Sequence, residues 1–137
     1  MALLSSKGMY GLAAMYELYL LKSSKPVQIK DISLGAAIPQ NYLEQLLGQL
    51  KKAGLLTSVR GAYGGYLLAK DAKDITIKEI FVALEGNLHI VDSEMKNPVL
   101  ALFYEEKKRE LESIFDIALS DLETYQQKIS KQISYTI

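Results

Sequence analysis

The chain is 137 residues long, 49% hydrophobic and 23% charged, which suits one globular domain with a real core and is too short for two large ones. It holds no cysteine, which excludes disulfides, thiolate metal sites and cysteine nucleophiles, and no apolar run approaches the ~20 residues that span a bilayer. Its zero net charge is uneven: residues 1–70 carry eight Lys/Arg against three acids, net +5, and residues 71–137 carry eight against thirteen, net −5. A basic half joined to an acidic half suits a DNA-reading module with a separate solvated interaction module.

The first twenty residues resemble a signal peptide in composition. Glu17 interrupts the apolar stretch and no small-residue cleavage site follows, so they are read as an amphipathic helix of a cytoplasmic protein. Ser5 or Ser6 is its cap and Lys22 its approximate end, with Met9, Leu12, Ala13, Tyr16, Tyr19 and Leu20 as the expected inward face. Pro26 closes the segment, since the residue before a proline avoids helical geometry. A short helix carrying Ile29, Ile32 and Ser33 follows, then a break over residues 35–39, then a stronger helix from about Gln40 to Ala53. Its apolar face is Leu43, Leu46, Leu47 and Leu50, its polar face includes Gln40, Asn41, Glu44, Gln45, Lys51 and Lys52, and Gly54 stops it. Two short helices around a tight turn, the second rich in hydrogen-bonding groups, form a helix-turn-helix candidate.

Residues 55–60 and 66–68 read as two strands around Gly61-Ala62-Tyr63-Gly64-Gly65, a turn whose glycines permit positive φ and close backbone approach to a partner. With Arg60 at the lip, directly after a helix-turn-helix, this hairpin reads as a wing; the alternative is an ordinary hairpin with an exposed arginine. The glycines do not match a phosphate-cradling loop. After a polar connection at residues 71–74, Thr76 and Glu79 fit a capping box for a helix ending near Gly86. Residues 87–97 have no period and read as a loop.

From Pro98 a long helix is expected to about Leu119, with Leu100, Phe103, Leu111, Ile114 and Ala118 on one stripe that Lys107 interrupts. Ser120 to Glu123 repeats the capping-box pattern and opens a last helix to about Lys131. The long apolar stripe invites either a second copy of the chain or packing on its own domain. The expected architecture is mainly α with a small β-hairpin: a winged helix-turn-helix over residues 1–86, then loop, dimerisation helix and carboxy-terminal helix over 87–137.

Residues 6–12 (SKGMYGL), 41–46 (NYLEQL), 54–56 (GLL) and 58–68 (SVRGAYGGYLL) closely resemble the Rrf2 family of winged-helix repressors, a likeness spanning residue 3 to about 125. Within the family the chain is most similar to the cluster-free repressors of cysteine metabolism. The resemblance implies a homodimer on a pseudo-palindromic operator, with the second motif helix in the major groove and the wing in the minor groove. Carried over, the DNA-reading residues are Asn41, Tyr42, Glu44 and Gln45 on the helix and Arg60, Gly61, Tyr63, Gly64 and Gly65 in the wing; Gln40, on the same polar face, is a DNA-binding candidate beside them. The chemistry is independently sensible: Glu44 can accept from a cytosine amino group, Asn41 and Gln45 can pair with base edges, and Arg60 suits a narrow, negative minor groove. Ser6, Lys7, Lys51 and Lys52 are candidates for phosphate contacts, which position without specifying. For Tyr42, core packing is an equal alternative.

Cluster-binding relatives place three cysteines in the loop matching 87–97, where this chain has His89 with Asp92 and Glu94 nearby. A lone imidazole with flexible carboxylates lacks the thiolates that hold iron–sulfur clusters, so no cluster is expected and His89 reads as an ordinary loop residue. The resemblance also makes Ile137 a candidate partner-binding residue, docking a carboxy-terminal tail into cysteine synthase; a frayed terminus is the alternative. An enzyme is not expected, because no nucleophile–base pair, metal constellation or phosphate loop is present. The remaining alternative is a winged-helix interaction adaptor that does not bind DNA, against which base-reading groups on both helix and wing argue.

Overall fold

A computed structural model describes residues 2–91 and 93–136 of the chain, the side chains of 135 and 136 excepted. The first helix, α1 (Ser6–Leu21), is capped by Ser5, whose hydroxyl accepts from the Lys7 amide at 3.2 Å. Its buried face is Gly8, Gly11, Ala14, Met15, Leu18 and Tyr19, rotated from the one expected. Met9 and Leu20 lie outside, 58% and 49% exposed. The helix is apolar nearly all round, so periodicity alone could not set its phase. The glycines did: a Cβ on Gly11 would collide with Leu84, so that position faces the helix carrying Leu84.

Helices α2 (Ile29–Ala36) and α3 (Gln40–Lys52) follow, joined through Ala37 in the left-handed region (φ 56°). The Ser33 hydroxyl donates to the Ile38 carbonyl at 2.5 Å and closes that turn. Leu43, Leu46, Leu47 and Leu50 of α3 are all buried, as their spacing requires. Strands β1 (Leu56–Val59) and β2 (Gly65–Leu68) pair antiparallel with Ser58 opposite Tyr66, one residue shorter at each end of the first strand than expected. A 3₁₀ turn (Ala72–Asp74) lies in the expected polar connection. Helix α4 (Ile77–Glu85) has the reciprocal capping box: the Glu79 amide donates to the Thr76 hydroxyl at 3.0 Å and the Thr76 amide to the Glu79 carboxylate at 3.1 Å.

Helix α5 (Pro98–Ile114) opens on Asn97, whose side chain accepts from the Val99 and Leu100 amides at 2.9 and 3.3 Å. It ends five residues before the expected Leu119, and the cause is tertiary. The first-turn amides of α4 need acceptors, and the chain after Ile114 supplies them: Ile77 donates to the Ile117 carbonyl and Lys78 to that of Phe115, each at 2.8 Å. Leu119 donates to Ile75 at 2.8 Å and its side chain is fully buried, while Phe115 meets Phe81 edge-on at 5.1 Å. A 3₁₀ turn (Leu119–Leu122) leads into α6 (Glu123–Thr136), which runs beyond the expected Lys131. The capping box expected at Ser120 is absent; Asp121 instead accepts from the Ala118 amide at 2.9 Å and caps the 3₁₀ turn. One buried cluster joins α1, α2, α3, β1, α4 and Leu119.

Candidate nucleic-acid interface

The polar face of α3 is open. Gln40, Asn41, Glu44 and Gln45 are all exposed, because the four leucines opposite them anchor the helix and leave this side to solvent. Beside it stands the hairpin of β1 and β2, with Arg60, Gly61 and Tyr63 exposed and Tyr63 reaching 94% exposure. Between helix and hairpin runs an open groove lined by Gln40 and Glu44 on one wall and Arg60 and Gly61 on the other. Gln28, Lys30 and Ser58 also line it, and the sequence reading missed them. The available signal was weak: Gln28 and Lys30 flank the start of α2, next to a motif already recognised, and Ser58 is one polar residue within β1. Lys30 and Arg60 bring two positive charges to a groove in which Glu44 supplies the negative one.

Tyr42 does not face the groove. It is half-buried against the core and meets Tyr10 edge-on, with centroids 5.8 Å apart, so its ring holds α3 to α1. The same contact places the first turn of α1 beside the start of α3, since Ser6 and Lys7 lie one helical turn before Tyr10. Both are exposed there. The α1 amino terminus itself is occupied: the Glu85 carboxylate accepts from the Ser5 amide at 2.6 Å, from the Gly8 amide at 3.4 Å and from the Ser5 hydroxyl. Lys51 and Lys52 are exposed at the far end of α3, about 15 Å along the axis from Asn41.

The turn glycines divide. Gly64 is buried, and a Cβ there would overlap the Val59 carbonyl. Gly65 has φ 148°, and a Cβ on it would overlap the Val27 carbonyl. The close approach these residues permit is therefore to the chain's own backbone. The expected close approach to a partner is left to Gly61, which has open space around it.

The long-helix stripe is only partly continuous. Leu100, Phe103 and Ile114 are exposed and Leu111 is half-buried, while Ala118 lies past the helix end, bridged to Thr76. Val99, at 74%, is more exposed than any of the expected residues, and Leu102, at 61%, is as exposed as Ile114. On α6, Tyr125, Ile129 and Ile133 form a second exposed apolar row at four-residue spacing. His89 is exposed, and among the described residues no three of His, Cys, Asp or Glu gather to hold a metal ion. Ile137 lies outside the described residues. No helix among them is long and apolar enough to cross a membrane.

A family model described as Rrf2, iron-dependent transcriptional regulator, matches residues 4–131. The transcriptional regulator IscR of Photorhabdus laumondii is 46% identical over 85 residues, covering 62% of this chain and 52% of that protein. IscR of Escherichia coli K12 is equally similar over the same length. The chain thus spans about half the length of the curated relatives it matches. Among solved structures, CymR, the global cysteine regulator of Bacillus subtilis, superposes with a TM-score of 0.78 at 35% identity, covering 91% of this chain and 98% of CymR. IscR of T. potens superposes with a TM-score of 0.75 at 37% identity, covering 92% and 89%.

Proposed function

Because the chain belongs to the Rrf2 family of transcriptional regulators, we propose that it is a dimeric, cytoplasmic, sequence-specific DNA-binding repressor. The observation that carries this reading is one groove with Gln40 and Glu44 of α3 on one wall and the hairpin residue Arg60 on the other. An α-helix fits the major groove of B-form DNA, where Glu44 accepts from cytosine and Asn41 and Gln45 reach base edges. The hairpin then lies over the adjacent minor groove, where Arg60 is drawn by the negative potential of a narrow A·T-rich stretch. Ser6, Lys7 and Lys30 flank this surface and act on phosphates, fixing register.

An iron–sulfur cluster does not fit this donor set. Such clusters are held by thiolates, sometimes with imidazoles, and the 137 residues hold no cysteine and one histidine. The signal in this reading comes through a partner or a small molecule. Absorption spectra of anaerobically purified protein test this part, and a cluster charge-transfer band would overturn it. The resemblance names cysteine synthase as one such partner. Calorimetry of that enzyme against the chain with and without Ile137 is the check, and equal affinities would end the assignment.

The decisive experiment is selection of bound sequences from a random duplex pool at two salt concentrations. A pseudo-palindrome should emerge, with half-sites one or two helical turns (~34 Å each) apart and affinity falling steeply with salt. Failure to enrich any sequence would remove the DNA-reading function and leave the adaptor.

A further inference from the structure

Gln28 is the residue immediately before α2, and its conformation (φ −67°, ψ 146°) is that of a helix cap. Its carbonyl accepts from the Asp31 and Ile32 amides, at 3.0 and 3.2 Å, as a cap's should. Its side chain makes no capping bond. The Nε2 amide instead crosses 34 residues of chain to donate to the Ala62 carbonyl at 3.1 Å, in the hairpin turn. Among the described residues this is the one side-chain hydrogen bond that reaches the turn between Arg60 and Gly64. One residue earlier, Val27 and Tyr66 exchange two backbone hydrogen bonds, at 2.9 and 2.8 Å, beside Gly65, which has no Cβ to keep the backbones apart. The hairpin is thus fastened to the lead-in of the helix-turn-helix at two points near its tip: backbone at Tyr66, one pair short of the strand ends, and Gln28 in the turn itself.

We infer that Gln28 is a positioning residue: it sets the angle of the wing tip, and so of Arg60, relative to α3. This rests on the DNA-reading function proposed above. Residue type supports the assignment. Serine, threonine, aspartate and asparagine are the usual helix caps because their short side chains turn back on the first-turn amides. Glutamine is a methylene longer and reaches across instead. The backbone tie stops at Tyr66 and the strands end at Val59 and Gly65, so among the described residues the Gln28 bond is what holds the turn at residues 60–64 to the rest of the chain from outside the hairpin.

The test uses three single variants of the full chain, Gln28→Met, Gln28→Asn and Arg60→Ala, and each Gln28 variant combined with Arg60→Ala. Methionine keeps the reach and loses the donor; asparagine is a better cap and too short to cross. Two readouts are needed. In DNA-free protein, both Gln28 variants should speed amide exchange at Gly64, whose amide donates to Gly61 across the turn, with melting temperature not lowered in Gln28→Asn. On the selected operator, each should weaken binding by about three- to tenfold, the worth of one neutral hydrogen bond, and by less than twofold once Arg60 is already alanine. Additive losses with Arg60→Ala would mean that Gln28 touches DNA directly and would overturn the inference. Unchanged exchange at Gly64 would overturn it as well. If the wild-type chain enriches no duplex, the DNA reading fails by itself, and the exchange experiment still decides whether Gln28 holds the tip.

Discussion

Glu44 and Arg60 face one groove from opposite walls, and their chemistries make their variants behave differently. A carboxylate in the major groove repels phosphate and is favourable only opposite a cytosine amino group, so its contribution depends on sequence. A guanidinium in a narrow minor groove is attracted by charge whatever the base and gains most at A·T-rich steps. Glu44→Ala is therefore expected to leave affinity for non-cognate duplex unchanged or higher while narrowing discrimination at one base pair by about 1–3 kcal/mol. Arg60→Ala should weaken all binding and flatten the salt dependence by about one phosphate equivalent. Titrations of a panel of single-base operator variants at several salt concentrations separate the two, and an unchanged ranking for Glu44→Ala would remove its role. A second residue pair lies away from the groove. The Tyr19 phenol is raised from 10.0 to about 12, chiefly by donating a hydrogen bond to Glu123, with burial and the carboxylate charge adding to it. Glu123 is lowered by the same bond, against the opposing effect of burial, and Lys22 at 3.5 Å helps. The contact is complete while the phenol is neutral and the carboxylate ionised. Its contribution to stability is lost on the alkaline side between 10 and about 12, where an unfolded chain ionises tyrosine first, and on the acid side as pH falls below the ordinary carboxylate value through the lowered one. In Glu123→Ala the phenolate absorbance of Tyr19 should appear at lower pH than in wild type; an unmoved titration would mean that Glu123 does not hold the phenol.

Among the elements, α4 combines the most local with the most distant determinants. Its capping box is written in four consecutive residues, and Thr76→Ala should cost about 1 kcal/mol in urea denaturation, the usual worth of a cap. The Ile77 and Lys78 amides keep their own acceptors in the returning chain, so the loss should stay near that figure; several kcal/mol would show that the cap also holds residues 115–119. Helix α3 was readable because Leu43, Leu46, Leu47 and Leu50 leave one uninterrupted polar face. The hairpin was readable because glycines separate two short apolar runs. The phase of α1 was not, because nearly every face is apolar and the choice fell to which glycine admits Leu84. The end of α5 was not either, because no breaker follows Ile114; carbonyls captured by α4 stop it. Gln28 was invisible for the same reason, its partner being a backbone carbonyl 34 residues away.

At the scale of the molecule, the apolar surface left over decides how many copies act together. The buried cluster draws on residues 14–84 and after them returns only for Leu119, with Leu122 packed against it. Helix α5 has no fully buried residue, and Val99, Leu100, Leu102, Phe103 and Ile114 stand open along it. Lys107, which interrupts the stripe in sequence, does not break it in space: its ammonium lies 5.8 Å from the Phe103 ring centre and pairs with Glu110 at 3.1 Å, so its stem covers apolar surface. A second copy laid along this helix would bury the stripe and present two reading grooves to one duplex. Phe103→Glu places a charge at the centre of that contact and touches no residue of the buried core. It should therefore leave the melting of the winged-helix part nearly unchanged and convert the protein to a monomer in light scattering. Affinity for the full operator should fall by about 100-fold or more, because two linked half-site contacts become one, while binding to an isolated half-site should be unaltered. A Phe103→Glu protein that remained dimeric with full operator affinity would exclude α5 as the contact and transfer that role to the row of Tyr125, Ile129 and Ile133 on α6.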